Sequence, residues 1–548
     1  MKSIPRVEKI YRYLAILLAS TLIALQVVAQ TAPSLSASEK ELMKAISVKE
    51  IERYTSALAA DEMEGRGTMQ PGGEKAAKWL ADEMKAIGLK PLGENGAYFQ
   101  AVPVTETEIA PETTLKLDGQ ALALGADWAP LAQNLKDIEY GGPVVFAGHG
   151  IISDALKRND IKGGDLRDKV VVVISGRVAS MSEEEWNKVN GTFQAIGTAF
   201  RNRARAVVLI DNGLEKYSSE FLIDYMVRRQ IGTGQGQSPP PIAYVSNAGA
   251  EKLFAKSGVT LKDALAQAER DDFKPIDLKT VAEVKVKVNV RQGEGKNVVG
   301  YLEGSDPVLK SEAVIFTAHY DAYGLLNGKI YNGAADNALG NAEMLAVARA
   351  FSKMKVKPKR SLVFMSLTGE EHGLLGSKRW VTSPTWDLQK VAAVLNLDGI
   401  GTEVFGPVKT IVGYGAEFST LGSMLNDVAK VYGINVMPDP IPSEGIFQRS
   451  DHYSFVERGI PGLMLMGAPE GDKDAIVKQI DAWMKLNYHQ PSDDVYKTWH
   501  WEGAKSVADI MALVGLRVAQ QAEMPEWIAT SPYGKLKRGD RLGAATGN

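Results

Sequence analysis

Apolar positions change their spacing along this chain, and each change marks a different kind of structure. Ala76, Ala77, Leu80, Met84 and Ile87 recur at helical spacing, and Gly88 follows as a C-cap. The stretch before them, from Glu64-Gly65-Arg66-Gly67 to Pro71-Gly72-Gly73, reads as a loop. From about 134 to 275, short apolar runs at 143–146, 169–174, 206–210 and 241–245 alternate with turn-rich segments, which predicts a small β-rich inserted domain with a few helices. Val284, Val286, Val288 and Val290 then alternate with polar neighbours, predicting a half-exposed strand that returns the chain to its main domain. After Gly295 the pattern becomes strand, loop, helix, repeated. Strands are expected at 314–317, 362–366 and 391–397, with a helix at 342–354, so the main domain should be α/β with helices on both faces of a sheet.

A chain of 548 residues exceeds one ordinary domain and suggests two or three. Its formal charge of -3 leaves no basic footprint, which argues against a nucleic-acid partner. With no cysteine, disulfides, thiol nucleophiles and thiolate metal sites are excluded, so any metal must be held by His, Asp and Glu. Residues 1–29 read as a signal peptide: Lys2, Arg6, Lys9 and Arg12 precede an apolar core at 14–25, and Val27 and Ala29 suit a small-residue cleavage site. That core is shorter than the ~20 residues of a membrane span. The expectation is a secreted or periplasmic protein starting near Gln30, with no stable membrane association after cleavage. No function is read from the tail at 516–548, and oligomeric state is not legible.

Five clusters carry candidate chemistry. His319-Tyr320-Asp321 follows a strand, where residues two apart point the same way, so Asp321 can orient His319. Gly333-Ala334-Ala335-Asp336-Asn337 delivers Asp336 at a helix start, where alone it reads as an N-cap. Glu370-Glu371-His372-Gly373 ends an apolar strand in two repelling carboxylates, which asks for a cation. Asn396-Leu397-Asp398 closes another strand, and Tyr488-His489-Gln490-Pro491 forms a turn far down the chain. Singly, each is an ordinary turn or surface feature. Open α/β sheets bind ligands beyond the carboxyl ends of their strands, and three of the five clusters belong there. His319, His489, Asp336, Glu371 and Asp398 together suit two divalent ions sharing a carboxylate, and Glu370 remains as a general base.

In this order the clusters resemble the co-catalytic zinc exopeptidases that include bacterial leucyl aminopeptidases, over residues 48–133 and 280–515. The resemblance implies a mixed sheet of the phosphorylase/hydrolase-like kind and a secreted aminopeptidase acting on peptides with a free N-terminus. It implies two zinc ions, one held by His319 and Asp398, the other by Glu371 and His489, with Asp336 bridging. Glu370 would be the catalytic base and Asp321 the aspartate behind His319. Residues 134–275 resemble a protease-associated domain, through Gly142-Pro143-Val144-Val145-Phe146 and Leu166-Arg167-Asp168-Lys169-Val170, and such domains shape substrate access.

The chain departs from the family pattern at Gly399, where Met is frequent, at Leu339-Gly340, where Ser is frequent, and at Phe447, where some members carry an oxyanion-binding tyrosine. Asp451 and His452 read either as a pocket pair or as a buried structural pair. A carboxypeptidase or a glutaminyl cyclase on the same fold is the alternative activity. A non-enzymatic metal- or peptide-binding protein would not need Glu370.

Overall fold

Two sheets organise the chain, and the valine alternation at 284–290 marks the passage between them. The expected single strand is two: Ile276–Val286 belongs to one sheet and Val288–Leu302 to the other, with Lys287 at the crossing. Val284 and Val286 are buried in the first sheet's core, whereas Val290 is exposed. The computed structural model describes residues 34–131, 136–154, 158–189, 191–214, 218–234, 241–399, 406–468, 470–495 and 498–540; the leader expected over 1–29 lies outside the described residues.

The larger sheet runs in the order Gln230–Gly232, Phe99–Ile109, Val288–Leu302, Ser361–Leu367, Ala313–His319, Val391–Asn396, Gly462–Ala468, Thr410–Tyr414 and Asn435–Met437, with Lys90–Pro91 beside Val288–Leu302. Ser361–Leu367, Ala313–His319, Val391–Asn396 and Gly462–Ala468 are mutually parallel, while the strands flanking this block pair antiparallel to it. The sheet is therefore mixed. Its central strands are buried on both faces, which is why they read as unbroken apolar runs. Val314, Phe316 and Ala318 face a core shared with helices Val48–Leu58, Pro71–Ile87, Leu339–Lys353, Leu421–Tyr432 and Trp501–Gln520. Ala313 and Ile315 face the opposite core, with Trp380 and Phe455 from the helices Leu375–Thr382 and His452–Val456. The fold is α/β, with helices on both faces.

The smaller sheet has eight strands from residues 114 to 286, a run wider than the 134–275 expected from the apolar pattern. Its parallel centre, Ile138–Phe146, Val170–Ile174, Ala206–Ile210 and Ile242–Val245, buries side chains on both faces. Gln230–Gly232 leaves this region to pair with Phe99–Ile109 at the edge of the larger sheet, tying the two together.

Three local expectations are revised. Pro71-Gly72-Gly73 is the first turn of the helix Pro71–Ile87, not loop. Proline suits that position because the N–H it lacks would have no partner there. A Cβ on Gly72 would lie 2.1 Å from the Met63 carbonyl, so the turn packs directly on the preceding backbone. The helix expected at 342–354 starts earlier, at Leu339. The last helix runs to Gln520, and the tail folds back so that Arg538 donates to the carbonyls of Val391 and Ala392 at 2.9 and 3.1 Å.

Candidate metal centre

His319 is the last residue of its strand, Asp398 lies two residues beyond Val391–Asn396, and Glu370 and Glu371 follow Ser361–Leu367. Because these strands are parallel neighbours, their carboxyl ends present all four side chains at one sheet edge. The ends are laced together. Thr317 Oγ1 donates to Asn396 Oδ1 at 2.6 Å, Asn396 Nδ2 donates to Ser450 Oγ at 2.6 Å, and Ser450 Oγ donates to Asp398 Oδ2.

Asp336 arrives on a turn, not on a helix cap. Helix Leu339–Lys353 begins after Ala338, and it is Asn337 whose side chain accepts the Gly340 N–H at 2.9 Å. Asn337 Nδ2 also donates to the Leu397 carbonyl at 2.9 Å, fixing this turn to the Asp398 loop. A Cβ on Gly340 would lie 2.0 Å from that carbonyl, and one on Gly399 would lie 2.4 Å from Leu465 O. Both departures from the family pattern thus sit where backbones meet closely. His489 enters from the turn after helix Lys473–Asn487, at a left-handed φ of 57°.

These segments bring the five expected ligands together. His319 Nε2 lies 3.1 Å from Asp398 Oδ1 and 3.3 Å from Asp336 Oδ1. His489 Nε2 lies 2.9 Å from Glu371 Oε2 and 3.4 Å from Asp336 Oδ2. Asp336 therefore turns one oxygen to each histidine. Two groups of donors result, His319 with Asp336 and Asp398, and Asp336 with Glu371 and His489, each with ligand atoms within 4.8 Å of one another. Glu370 belongs to neither, with Oε2 3.9 Å from His319 Nε2.

The charge balance asks for cations. Burial by itself would lower both histidines, yet Asp398 and Glu370 hold His319 well above the imidazole range, and Glu371 and Asp336 carry His489 up to about 9. Burial pushes Glu370 well above the carboxylate range against the pull of His319, and neighbouring Asp398 and Glu371 add to the rise. Asp336 goes the other way: burial would raise it, but its hydrogen bonds to His319 and His489 win. Imidazole nitrogens and carboxylate oxygens in two groups sharing one carboxylate fit two divalent ions such as zinc.

Sequence reasoning placed these residues but missed what braces them. Arg66 is fully buried and donates to four carbonyls: Tyr320 (2.6 Å), Leu58 (2.7 Å), Asn332 (2.6 Å) and Gly333 (2.7 Å). Asp493 accepts the N–H groups of Ala335 and Asp336 at 2.8 and 3.0 Å. Asp321 stands behind His319 as expected in position, but its carboxylate is not what the imidazole hydrogen-bonds. His319 Nδ1 is hydrogen-bonded to the backbone carbonyl of Asp321 at 3.1 Å, and the carboxylate, 3.8 Å away, instead accepts the Glu370 N–H at 3.1 Å. Asp451 and His452 are both buried with separate environments: burial, against the pull of His319, pushes Asp451 up to about 7, while the His452 ring packs 4.9 Å from that of Phe447. Phe447 sits in an aromatic cluster with Phe418, Tyr453 and Tyr533 and brings no donor.

Residues 297–515, which include all five expected ligands and Glu370, match the profile of Peptidase family M28. A probable glutamate carboxypeptidase of Arthroderma benhamiae is 28% identical over 228 residues, 37% of this chain and 26% of its own length. A vacuolar membrane protease of Candida dubliniensis is 28% identical over 172 residues, 31% of this chain and 17% of its own length. The chain thus spans about a quarter or less of these curated relatives. A zinc aminopeptidase from Bacillus subtilis shares the fold, with a TM-score of 0.56 at 17% identity, over 91% of this chain and 98% of that one. One expectation is withdrawn on these findings. Several relatives are named for a vacuolar membrane, which contradicts the secreted or periplasmic location read from the leader. Among the described residues, no helix is long and apolar enough to cross a membrane. Through residues 297–515, this chain is similar to Peptidase family M28.

Proposed function

We propose that this chain is a two-zinc aminopeptidase that hydrolyses the first peptide bond of substrates with a free N-terminus. The observation that carries this reading is the pair of donor groups joined through Asp336, beside a half-buried carboxylate, Glu370, that neither group uses. His319 and Asp398 would hold one ion, Glu371 and His489 the other, and Asp336 would give an oxygen to each. When bound, such ions supply Lewis acidity, polarising the scissile carbonyl and making a water acidic enough to attack it. Glu370 takes the proton of the attacking water at its carboxylate and passes it to the leaving amine nitrogen. Asp321 positions that base by holding its backbone N–H. The expected aspartate behind His319 thereby also acts on Glu370.

The cavity beside Glu370 supports a preference at the first residue. Ile441, Ile446, Met464, Met466, Ile480 and Met484 line it, an apolar wall suited to an aliphatic side chain. Glu444 and Asp481 line the same cavity and are carboxylates able to receive an α-ammonium group. Arg449, also at this cavity, favours a second reading, in which a substrate carboxylate is bound and the carboxyl-terminal residue leaves. The inserted unit, 134–275 by sequence and of the protease-associated type, would border the route to this site.

The test compares leucine 4-nitroanilide, its N-acetyl form and an N-blocked peptide with a free carboxyl end, using zinc-loaded protein. Rapid turnover of the free amine alone supports the aminopeptidase. Release of residues from the blocked peptide's carboxyl end supports the carboxypeptidase and overturns the first reading.

A further inference from the structure

The inserted segment reaches the metal centre through a cage of aromatic rings. Helix Ser219–Val227 carries Tyr225, and Arg228 follows it. Arg228 is only 6% exposed, and its guanidinium lies 5.3 Å from the Tyr323 ring centre, 5.0 Å from that of Tyr331 and 5.7 Å from that of Tyr225. Asp224, one turn earlier, holds this guanidinium at 2.8 Å. Tyr225 meets Tyr323 edge to face, with centroids 6.3 Å apart. Tyr323 in turn faces the metal centre: its ring centre is 4.7 Å from that of His489, and its hydroxyl is 3.1 Å from His489 Nδ1.

Two histidines serve this centre, and they are held differently. His319 ends a buried strand, and its Nδ1 is bonded to a main-chain carbonyl that the fold fixes. His489 lies in a turn, at a left-handed φ of 57°, with no strand to fix its ring. Its Nε2 faces Glu371 and Asp336 only if something holds the other edge of the ring. Tyr323 does so on one side, and the Tyr488 ring stacks at 3.5 Å on the other. With Nε2 committed to the carboxylates, the Nδ1–H donates to the Tyr323 hydroxyl, which selects one tautomer.

We propose that Tyr323 is a positioning residue for His489, and that the inserted segment, through Arg228 and Tyr225, sets how firmly the Glu371–His489 site holds its cation. This rests on the two-cation reading above. It gives the insertion a task inside the centre, beyond bordering the route to it. The rival explanation is that Arg228 merely glues the two sheets together, in which case its loss lowers stability without singling out one cation site.

The test titrates zinc into cation-free full-length protein against a colorimetric chelator. It uses the wild type, Tyr323→Phe, Arg228→Ala, Arg228→Lys and the Tyr323→Phe/Arg228→Ala double variant. Two binding steps are expected for the wild type. Tyr323→Phe and Arg228→Ala should each weaken one step by about 10–100-fold, the usual effect of removing a group that orients a ligand, and leave the other step unchanged. Arg228→Lys, which keeps a cation over the rings, should restore part of the loss. The double variant should bind no more weakly than the weaker single, because both act through the same ring. Two wild-type steps in Tyr323→Phe, which lacks a single hydroxyl and decides alone if Arg228→Ala does not fold, would overturn the proposal. So would losses that add in full. A wild type that binds fewer than two zinc ions refutes the two-cation reading itself, which keeps the two failures apart.

Discussion

Replacing Arg66 by Met removes four hydrogen bonds while keeping much of the side chain's length. The guanidinium uses four of its five N–H groups on the carbonyls of Leu58, Tyr320, Asn332 and Gly333, so it joins the end of helix Val48–Leu58 to the loops that precede Asp321 and Asp336. Two effects oppose each other. Removing a buried charge recovers desolvation energy, and burial already lowers this arginine to about 10 against the pull of Asp493 and Asp321. The carbonyls, however, are backbone and remain, and each unsatisfied buried acceptor costs ~1–3 kcal/mol. Four of them put the gross loss at roughly 4–12 kcal/mol. The recovered desolvation brings the expected net loss to about 4 kcal/mol, a large part of the ~5–15 kcal/mol of a typical domain. Arg66→Lys offers three donors from one point and cannot span carbonyls now reached from three nitrogens, so it should fall in between. Urea unfolding with a chelator present isolates this effect from metal binding. A Met variant within about 1 kcal/mol of wild type would show that the loops stand without the brace.

Other expectations follow from the same geometry. Burial raises Asp321 to about 6 and Asp451 and Asp493 to about 7, so in cation-free protein each loses stability as pH climbs from the ordinary aspartate value toward its folded one. His489, carried up to about 9, contributes stability that is full below its unfolded value and lost on the way to pH 9. The melting temperature of chelated protein should therefore fall between pH 5 and 9, and zinc should release protons on binding at pH 7; calorimetry in buffers of different ionisation enthalpy reads both, and a rising melting temperature would contradict the assignment. Asp336→Ala should empty both sites together, and elemental analysis finding two tightly held ions would remove its bridging role. The apolar wall of Met464 and Met466 should favour leucine over aspartate or lysine 4-nitroanilide by roughly 10-fold or more in kcat/KM, since burying a leucine side chain is worth ~1.5–3 kcal/mol; equal values across the series would refute it.

The meeting of the expected ligands was legible in the sequence because strand ends are legible. Unbroken apolar runs at 314–317, 362–366 and 391–397 announce buried parallel strands, and such strands present their carboxyl ends at one edge. His319, Glu371 and Asp398 then meet by topology alone. Arg66 left no such signal: it lies in a turn and acts on carbonyls more than 250 residues away, so no spacing rule reaches it. The same holds for Tyr323, whose neighbours Tyr225 and Arg228 come from the inserted segment. Asp321 shows a finer limit. Strand geometry points its side chain toward that of His319, but the backbone carbonyl took the imidazole and freed the carboxylate for Glu370. Pro71-Gly72-Gly73 misled because proline and glycine mark turns in general, while here they form a helix start packed against backbone.

We propose different tasks for Glu370 and Glu371, which are adjacent in sequence. Glu371 faces His489 at 2.9 Å within a donor group, whereas Glu370 lies outside both groups. The decisive measurement is zinc content and turnover for Glu370→Gln and Glu371→Gln side by side. Glu370→Gln should keep both zinc ions and lose about 10²–10⁴-fold in kcat with little change in KM, the usual worth of a general base. Glu371→Gln should lose zinc, with activity partly restored by adding it back. Near-normal kcat in a zinc-replete Glu370→Gln protein would remove Glu370 as the base.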